Sequence, residues 1–247
     1  MQYSQYLAEL DGSVERMVAT LGDEQGVAIP SCPGWAAADL LAHMANVLAQ
    51  KLPLFRMRLE TAPAPASWPR AAAGDPDLGA TVLRTAKQVG AELAAMGPDV
   101  ALWSWYERDR SSSFWARRLA HEAAIHRVDA ELAAGLVPDC RRELAADGVG
   151  ELLEVFLARP GRPLGDGGPP AVVDLDGTDL PCQWSVAIGD TEVLVHPGRD
   201  GSPSAVLSGP VSALYLWGWG RRGLEEIAVA GDQSLPGRLR ALAARAT

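Results

Sequence analysis

The sequence predicts two parts of different class: an antiparallel four-helix bundle, then a small α+β domain with a mixed or antiparallel sheet. Three observations carry this. The first half holds four segments whose apolar residues recur at three- and four-residue steps, with no strand-like run between them. The second half is a series of short β-like runs punctuated by Gly, Asp and Pro. A composition of 48% hydrophobic and 21% charged residues over 247 residues is that of a globular chain with room for two ordinary domains. The expected division is 1–146 and 147–247.

The first helix carries Leu7, Leu10, Val14, Met17 and Leu21 on one face. The second opens after "SCPGW", runs from about Ala36 to Lys51 and stops near Pro53, with Leu40, His43 and Val47 as its buried stripe. A Pro/Ala-rich connection around residues 62–76 leads to the third, "LGATVLRTAKQVGAELAAM". The fourth begins near Ser112 or Ser113, either able to cap it, and ends at Gly135. A further helix near "DGVGELLEVFLA" precedes the turn-rich "RPGRPLGDGGPP". Strands follow at "AVVDLDG", "CQWSVAIG", "EVLVH", "SAVLSG" and "IAVAGD". Between the last two lies the helix "PVSALYLWGWGRR", and "SLPGRLRALAARA" closes the chain as another.

The formal charge of −9 argues against a nucleic-acid partner, which needs a basic face. No apolar run reaches the roughly 18 residues that span a bilayer, so no membrane partner is expected. The N-terminal "MQYSQYLAELDGSVERM" lacks the basic start and apolar stretch of a signal peptide. Cys32, Cys140 and Cys182 are odd in number and form no CxxC pair, which suits a reducing compartment. The expectation is a soluble, cytoplasmic protein.

The chemistry concentrates in "AHEAAIHRVDAEL", residues 120–132. Glu122 and His126 stand one helical turn apart, so a carboxylate and an imidazole can converge on one point. Their stripe adjoins the apolar one through Phe114, Ile125, Val128 and Leu132, which turns the pair toward the bundle interior. An unpartnered buried carboxylate costs several kcal/mol, and a metal ion satisfies both side chains at once. His43, on the apolar stripe of the second helix, completes a His₂Glu set with an open fourth position, the arrangement of catalytic zinc. Such N and O donors also suit Fe²⁺, Ni²⁺ or Co²⁺. The competing reading is a solvated or hydrogen-bonded Glu–His pair. At about 100° per residue, His121 lies roughly 140° round the helix from His126, a poorer co-ligand and a candidate for the core. Asp129 either orients His126 through its other nitrogen or pairs with Arg127 or Arg118. His196, at a strand end, reads as structural or exposed, and Cys32 as structural. Arg221 and Arg222 favour the C-terminal end of the Trp-rich helix, and either can hold a carboxylate.

The segments "SCPGWAAADLLAH", "WARRLAHEAAIHRVDAE", "DGVGELL" and "LWGWGRR…IAVAGD" resemble, in order, signature segments of the mycothiol-dependent maleylpyruvate isomerase family. The resemblance covers nearly the whole chain and implies a DinB-like metal-binding bundle followed by an α+β domain similar to sterol-carrier folds. It implies His43, Glu122 and His126 as zinc ligands, mycothiol as thiol cofactor, and Arg221 as a catalytic arginine, with Arg222 its near competitor. The activity implied is isomerisation or S-transfer on a small electrophilic, carboxylate-bearing substrate such as maleylpyruvate. In the isomerase chemistry a thiolate adds to an activated double bond, rotation follows, and elimination gives the trans isomer. Two other classes stand beside it: a hydrolase using zinc-bound water on the same ligands, and a non-enzymatic apolar-ligand or metal-responsive binding protein.

Overall fold

The computed structural model describes residues 1–22, 24–63, 70–159, 164 and 166–247. The Pro/Ala-rich connection and the turn-rich stretch lie partly outside them, at 64–69 and at 160–163 and 165. The chain forms two compact units, Met1–Pro138 and Asp139–Thr247. This division falls ahead of a helix, Arg142–Glu151, that belongs whole to the second unit; a cut after residue 146 would pass through it.

The first unit contains α1 (Tyr3–Leu21), α2 (Ala37–Ala49), the short α3 (Leu52–Arg56), α4 (Leu78–Met96) and α5 (Ser112–Ala133). α1 packs on α5 and α4, and α2 on α4 and α5, making the four long helices a bundle. α1 buries Leu10, Val14, Met17 and Leu21, with Tyr6 rather than Leu7 as the first buried side chain. α2 begins where the Asp39 carboxylate accepts the Ala36 N–H at 2.9 Å. It ends earlier than the spacing predicts, and α3 restarts with Pro53 in its first turn, where a missing N–H is not needed.

α5 is capped by Ser111, not by Ser112 or Ser113: its Oγ accepts the Phe114 N–H at 3.2 Å. The two expected caps donate elsewhere, Ser112 to the Gly97 carbonyl at 2.5 Å and Ser113 to that of Pro98 at 2.7 Å. Small residues (Ala116, Ala120, Ala123, Ala124, Ala130) let neighbouring helices come close on several sides of α5, and burial runs round its circumference. Its ionisable groups therefore need partners inside the unit. Arg127 donates to both Glu131 oxygens at 2.8 and 2.7 Å, and Arg16 reaches Glu131 at 2.5 Å. A buried charge without such a partner costs several kcal/mol.

The second unit contains α6 (Arg142–Glu151) continuing into a π-helical turn (Leu152–Leu157), then β1 (Ala171–Gly177), β2 (Gln183–Ile188), β3 (Val193–Pro197), β4 (Ala205–Gly209), α7 (Val211–Gly218), β5 (Ala228–Gly231) and α8 (Leu235–Ala246). The sheet order is β3-β2-β1-β4-β5. β1 and β4 are parallel and every other pair is antiparallel, so the sheet is mixed. Leu175 of β1 faces Val149, Leu152, Leu214 and Leu239 of the helices. Alternation sends Asp174 and Asp176 to the opposite side. There Asp174 accepts the Asp200 N–H at 3.3 Å, and Asp176 pairs with Arg199 and accepts from Ser208. Gly148 on α6 lies against the Tyr215 ring of α7, where any Cβ would clash. Among the described residues no helix is long and apolar enough to cross a membrane.

Candidate metal centre

Three segments of the first unit bring the site together. α2 supplies His43, α5 supplies Glu122 and His126, and a tight loop ahead of α2 covers them. That loop is pinned by the bridge Ala28↔Ala36 and by the Ile29 N–H on the Trp35 carbonyl at 2.9 Å. Gly34 makes its turn at φ +86°, a left-handed backbone that side chains disfavour. The loop lays Trp35 beside His43, ring centroids 5.0 Å apart, and stacks it at 6.4 Å on His126.

The donor atoms converge. His43 Nε2 lies 3.1 Å and His126 Nε2 3.5 Å from the same oxygen, Glu122 Oε1. All three donors fall within 4.8 Å of one another. Ligands about 2.0–2.2 Å from a tetrahedral ion sit roughly 3.3–3.6 Å apart. The two histidine–Glu122 distances lie close to that range and the set as a whole within 4.8 Å, so the residues present fit a zinc-sized cation once the donors adjust around it. The side chains of His43 and Glu122 are 32% and 21% exposed, which leaves the set open on one side.

The outer contacts fix each donor. Asp129, fully buried, accepts from His126 Nδ1 at 2.9 Å, which commits the proton to that nitrogen and leaves Nε2 for a metal. This is the first of the two roles open to Asp129; Arg127 donates to Glu131 and Arg118 to Glu122. Ser31 Oγ donates to Asp129 at 2.5 Å, and the Cys32 thiol points at it at 3.6 Å. Arg118 holds the other Glu122 oxygen, Oε2, at 2.5 Å. Burial alone would push the Glu122 carboxyl up, but the Arg118 guanidinium and hydrogen bonds from His126 and His43 hold it well below the usual carboxylate range. Burial alone would lower His126, yet Asp129 and Glu122 raise it to about 9 in the metal-free site.

The other expected residues fall elsewhere. His121 is fully buried edge-on to Tyr6, 6.4 Å between centroids, away from the donors. His196 is exposed at the end of β3. Arg221 and Arg222 lie in the second unit, donating to the Trp219 carbonyl at 2.7 Å and to Glu226 at 2.9 Å. Sequence reasoning missed Arg118 and Trp35 as neighbours of the donors, and Ser31 as the partner of Asp129. Arg118 had a signal, its one-turn spacing from Glu122; the loop residues had none beyond their place in "SCPGW".

A family model, the "Mycothiol maleylpyruvate isomerase N-terminal domain", matches residues 7–131. The chain belongs to the mycothiol maleylpyruvate isomerase family. The companion "MDMPI C-terminal domain" model matches residues 143–238 of this family member. Its fold is similar to a crystal structure of the mycothiol-dependent maleylpyruvate isomerase, at 15% identity over 93% of both chains with a TM-score of 0.63. A crystal structure of a histidine-to-alanine mutant of that enzyme aligns at 14% identity, again over 93% of both chains, with a TM-score of 0.62. No curated protein matches the chain by sequence.

Proposed function

We propose that this family member is a zinc- and mycothiol-dependent isomerase or S-transferase acting on a small electrophilic, carboxylate-bearing substrate such as maleylpyruvate. The observation that carries the reading is the convergence of His43, Glu122 and His126 around one point that is open on one side. When bound there, the metal supplies a Lewis-acid charge that keeps a thiol in its nucleophilic thiolate form. His43 and His126 would offer their Nε2 atoms, His126 after giving up the proton that Asp129 and Glu122 favour, and Glu122 a carboxylate already ionised by Arg118. Asp129 holds the His126 ring so that Nε2 faces the donors. Trp35 screens one side of both imidazoles from water. Arg221 is the residue we assign to a substrate carboxylate, stabilising the enolate charge that develops beside it. The free thiols Cys32, Cys140 and Cys182 fit a reducing, cytoplasmic setting.

The test is turnover of maleylpyruvate by zinc-loaded protein with and without mycothiol. Thiol-dependent isomerisation supports the reading. Thiol-independent hydrolysis of a substrate would replace it with the metal-hydrolase alternative on the same ligands.

A further inference from the structure

Lys51 lies two helical turns beyond His43, a step of about 12 Å at 1.5 Å per residue. The backbone stays right-handed helical through Gln50 and Lys51, which turns the residue about 80° round the helix from His43, on the adjoining stripe, and near enough for the Glu122 charge to act on it. Its ammonium sits over the Trp115 ring, 4.8 Å from the centroid. Trp115 is a fixed platform: it is 1% exposed, its indole N–H donates to the Trp103 carbonyl at 2.7 Å, and Phe55 meets its face edge-on. Trp115 also stands two turns before Glu122 on α5, on the neighbouring stretch of the helix that supplies the metal donors.

The ammonium has no matching anion. Among the described residues it makes no hydrogen bond or ion pair; its contact is the indole face. Glu122, the nearby carboxylate, is already used, with Oε2 on Arg118 and Oε1 facing the two histidines. Burial pushes the Lys51 ammonium down from its usual range, the Glu122 charge pulls it back up, and Arg118 adds to the downward push. A half-buried cation resting on an aromatic face keeps only part of what water gave it, and an incoming carboxylate restores the rest. Lys51 and Arg118 also leave this side of the site more positive than Glu122 alone can offset.

We infer that Lys51 is a specificity-determining residue that binds the carboxylate of the substrate remote from the metal, with the Trp115 ring holding its ammonium in place. The inference rests on the metal reading proposed above. It selects for small dicarboxylates over their neutral analogues, because a carboxylate supplies the negative charge that a charge-assisted hydrogen bond to the ammonium needs and an amide does not. Arg118 has a different part: it spends its guanidinium on Glu122 and keeps that carboxylate bound through one oxygen.

The experiment uses maleate as probe, titrated into the zinc-loaded full-length protein by calorimetry, with maleamide as the uncharged control. Wild-type protein is expected to bind maleate and not maleamide. Lys51→Met, which keeps the length of the stem over Trp115, is expected to lose roughly tenfold to a hundredfold in maleate affinity, the usual worth of a charge-assisted hydrogen bond. Lys51→Arg should restore most of it. Zinc content and melting temperature should be unchanged in both variants. Equal maleate affinity in wild type and Lys51→Met would overturn the inference, as would failure of the zinc-loaded wild type to bind maleate. Lys51-dependent maleate binding in a protein with no thiol-dependent turnover would support the carboxylate site while overturning the isomerase reading.

Discussion

Asp129 accepts a hydrogen bond from His126 Nδ1 at 2.9 Å from a position with no solvent exposure. The pair explains why α5 tolerates ionisable groups in its buried circumference. Asp129 is itself held by Ser31, so the carboxylate cannot turn away from the imidazole without breaking a second bond. Replacing Asp129 by Asn should preserve shape while loosening the tautomer and lowering the basicity of Nε2. Zinc affinity is expected to fall about 10–100-fold, the usual loss for an outer partner of a metal-bound histidine. Competition titration with a chromophoric chelator measures it, and an unchanged affinity would show that Asp129 does not position the ligand.

Acid competition should reach higher pH than an unperturbed imidazole allows. A free histidine would confine it to about pH 6.5, but His126 in the metal-free site is raised to about 9. Zinc must displace that proton, so its affinity should climb about tenfold per pH unit for one displaced proton until pH nears 9. The sign for stability is the opposite in the metal-free protein. A raised pKa stabilises fully below the unfolded value near 6.5 and loses that contribution as pH rises through about 9. Melting temperature of the metal-free protein should therefore fall from pH 7 to 9, and zinc-loaded protein should not follow it.

Glu131 anchors two arginines from a site that is 1% exposed, Arg127 within α5 and Arg16 on α1. Glu131→Ala leaves the Arg127 guanidinium buried beside a void. The expected loss is about 3–5 kcal/mol of unfolding free energy, the usual cost of breaking a buried pair from one side. Chemical denaturation checks it, and the double variant Arg127→Met with Glu131→Leu should lose less than Glu131→Ala.

Arg221→Ala should leave zinc content intact and lower turnover by roughly 10²–10³, the loss expected for one donor to developing negative charge. The comparison needs both readings on the same preparation. Full activity in Arg221→Ala, with loss in Arg222→Ala, would move the role to the neighbouring arginine.

Much of this was legible because periodicity is a local property. The helix "LGATVLRTAKQVGAELAAM" and the strand "AVVDLDG" begin and end where their residues predict. Ends set by competition among neighbours were not: three consecutive serines could cap α5, and only the carbonyls of Gly97 and Pro98 decide that Ser111 does. The π-helical turn and α3 carry no periodic signal of their own length. In the site, Glu122 and His126 announce themselves by a one-turn spacing, and His43 by a histidine in an apolar stripe. Lys51 needs the facing of α2 against α5, and Ser31 needs a loop folded back ninety-eight residues before its partner. Those are relations between segments, which no single stretch of sequence displays.

The central claim is that His43, Glu122 and His126 hold one catalytic metal ion. Metal stoichiometry by plasma mass spectrometry, on wild type and on His43→Ala, Glu122→Ala and His126→Ala purified without chelator, tests it most directly. The account expects one zinc per wild-type chain and near-complete loss in each folded variant. Zinc retained at wild-type stoichiometry in a folded His126→Ala protein would contradict it.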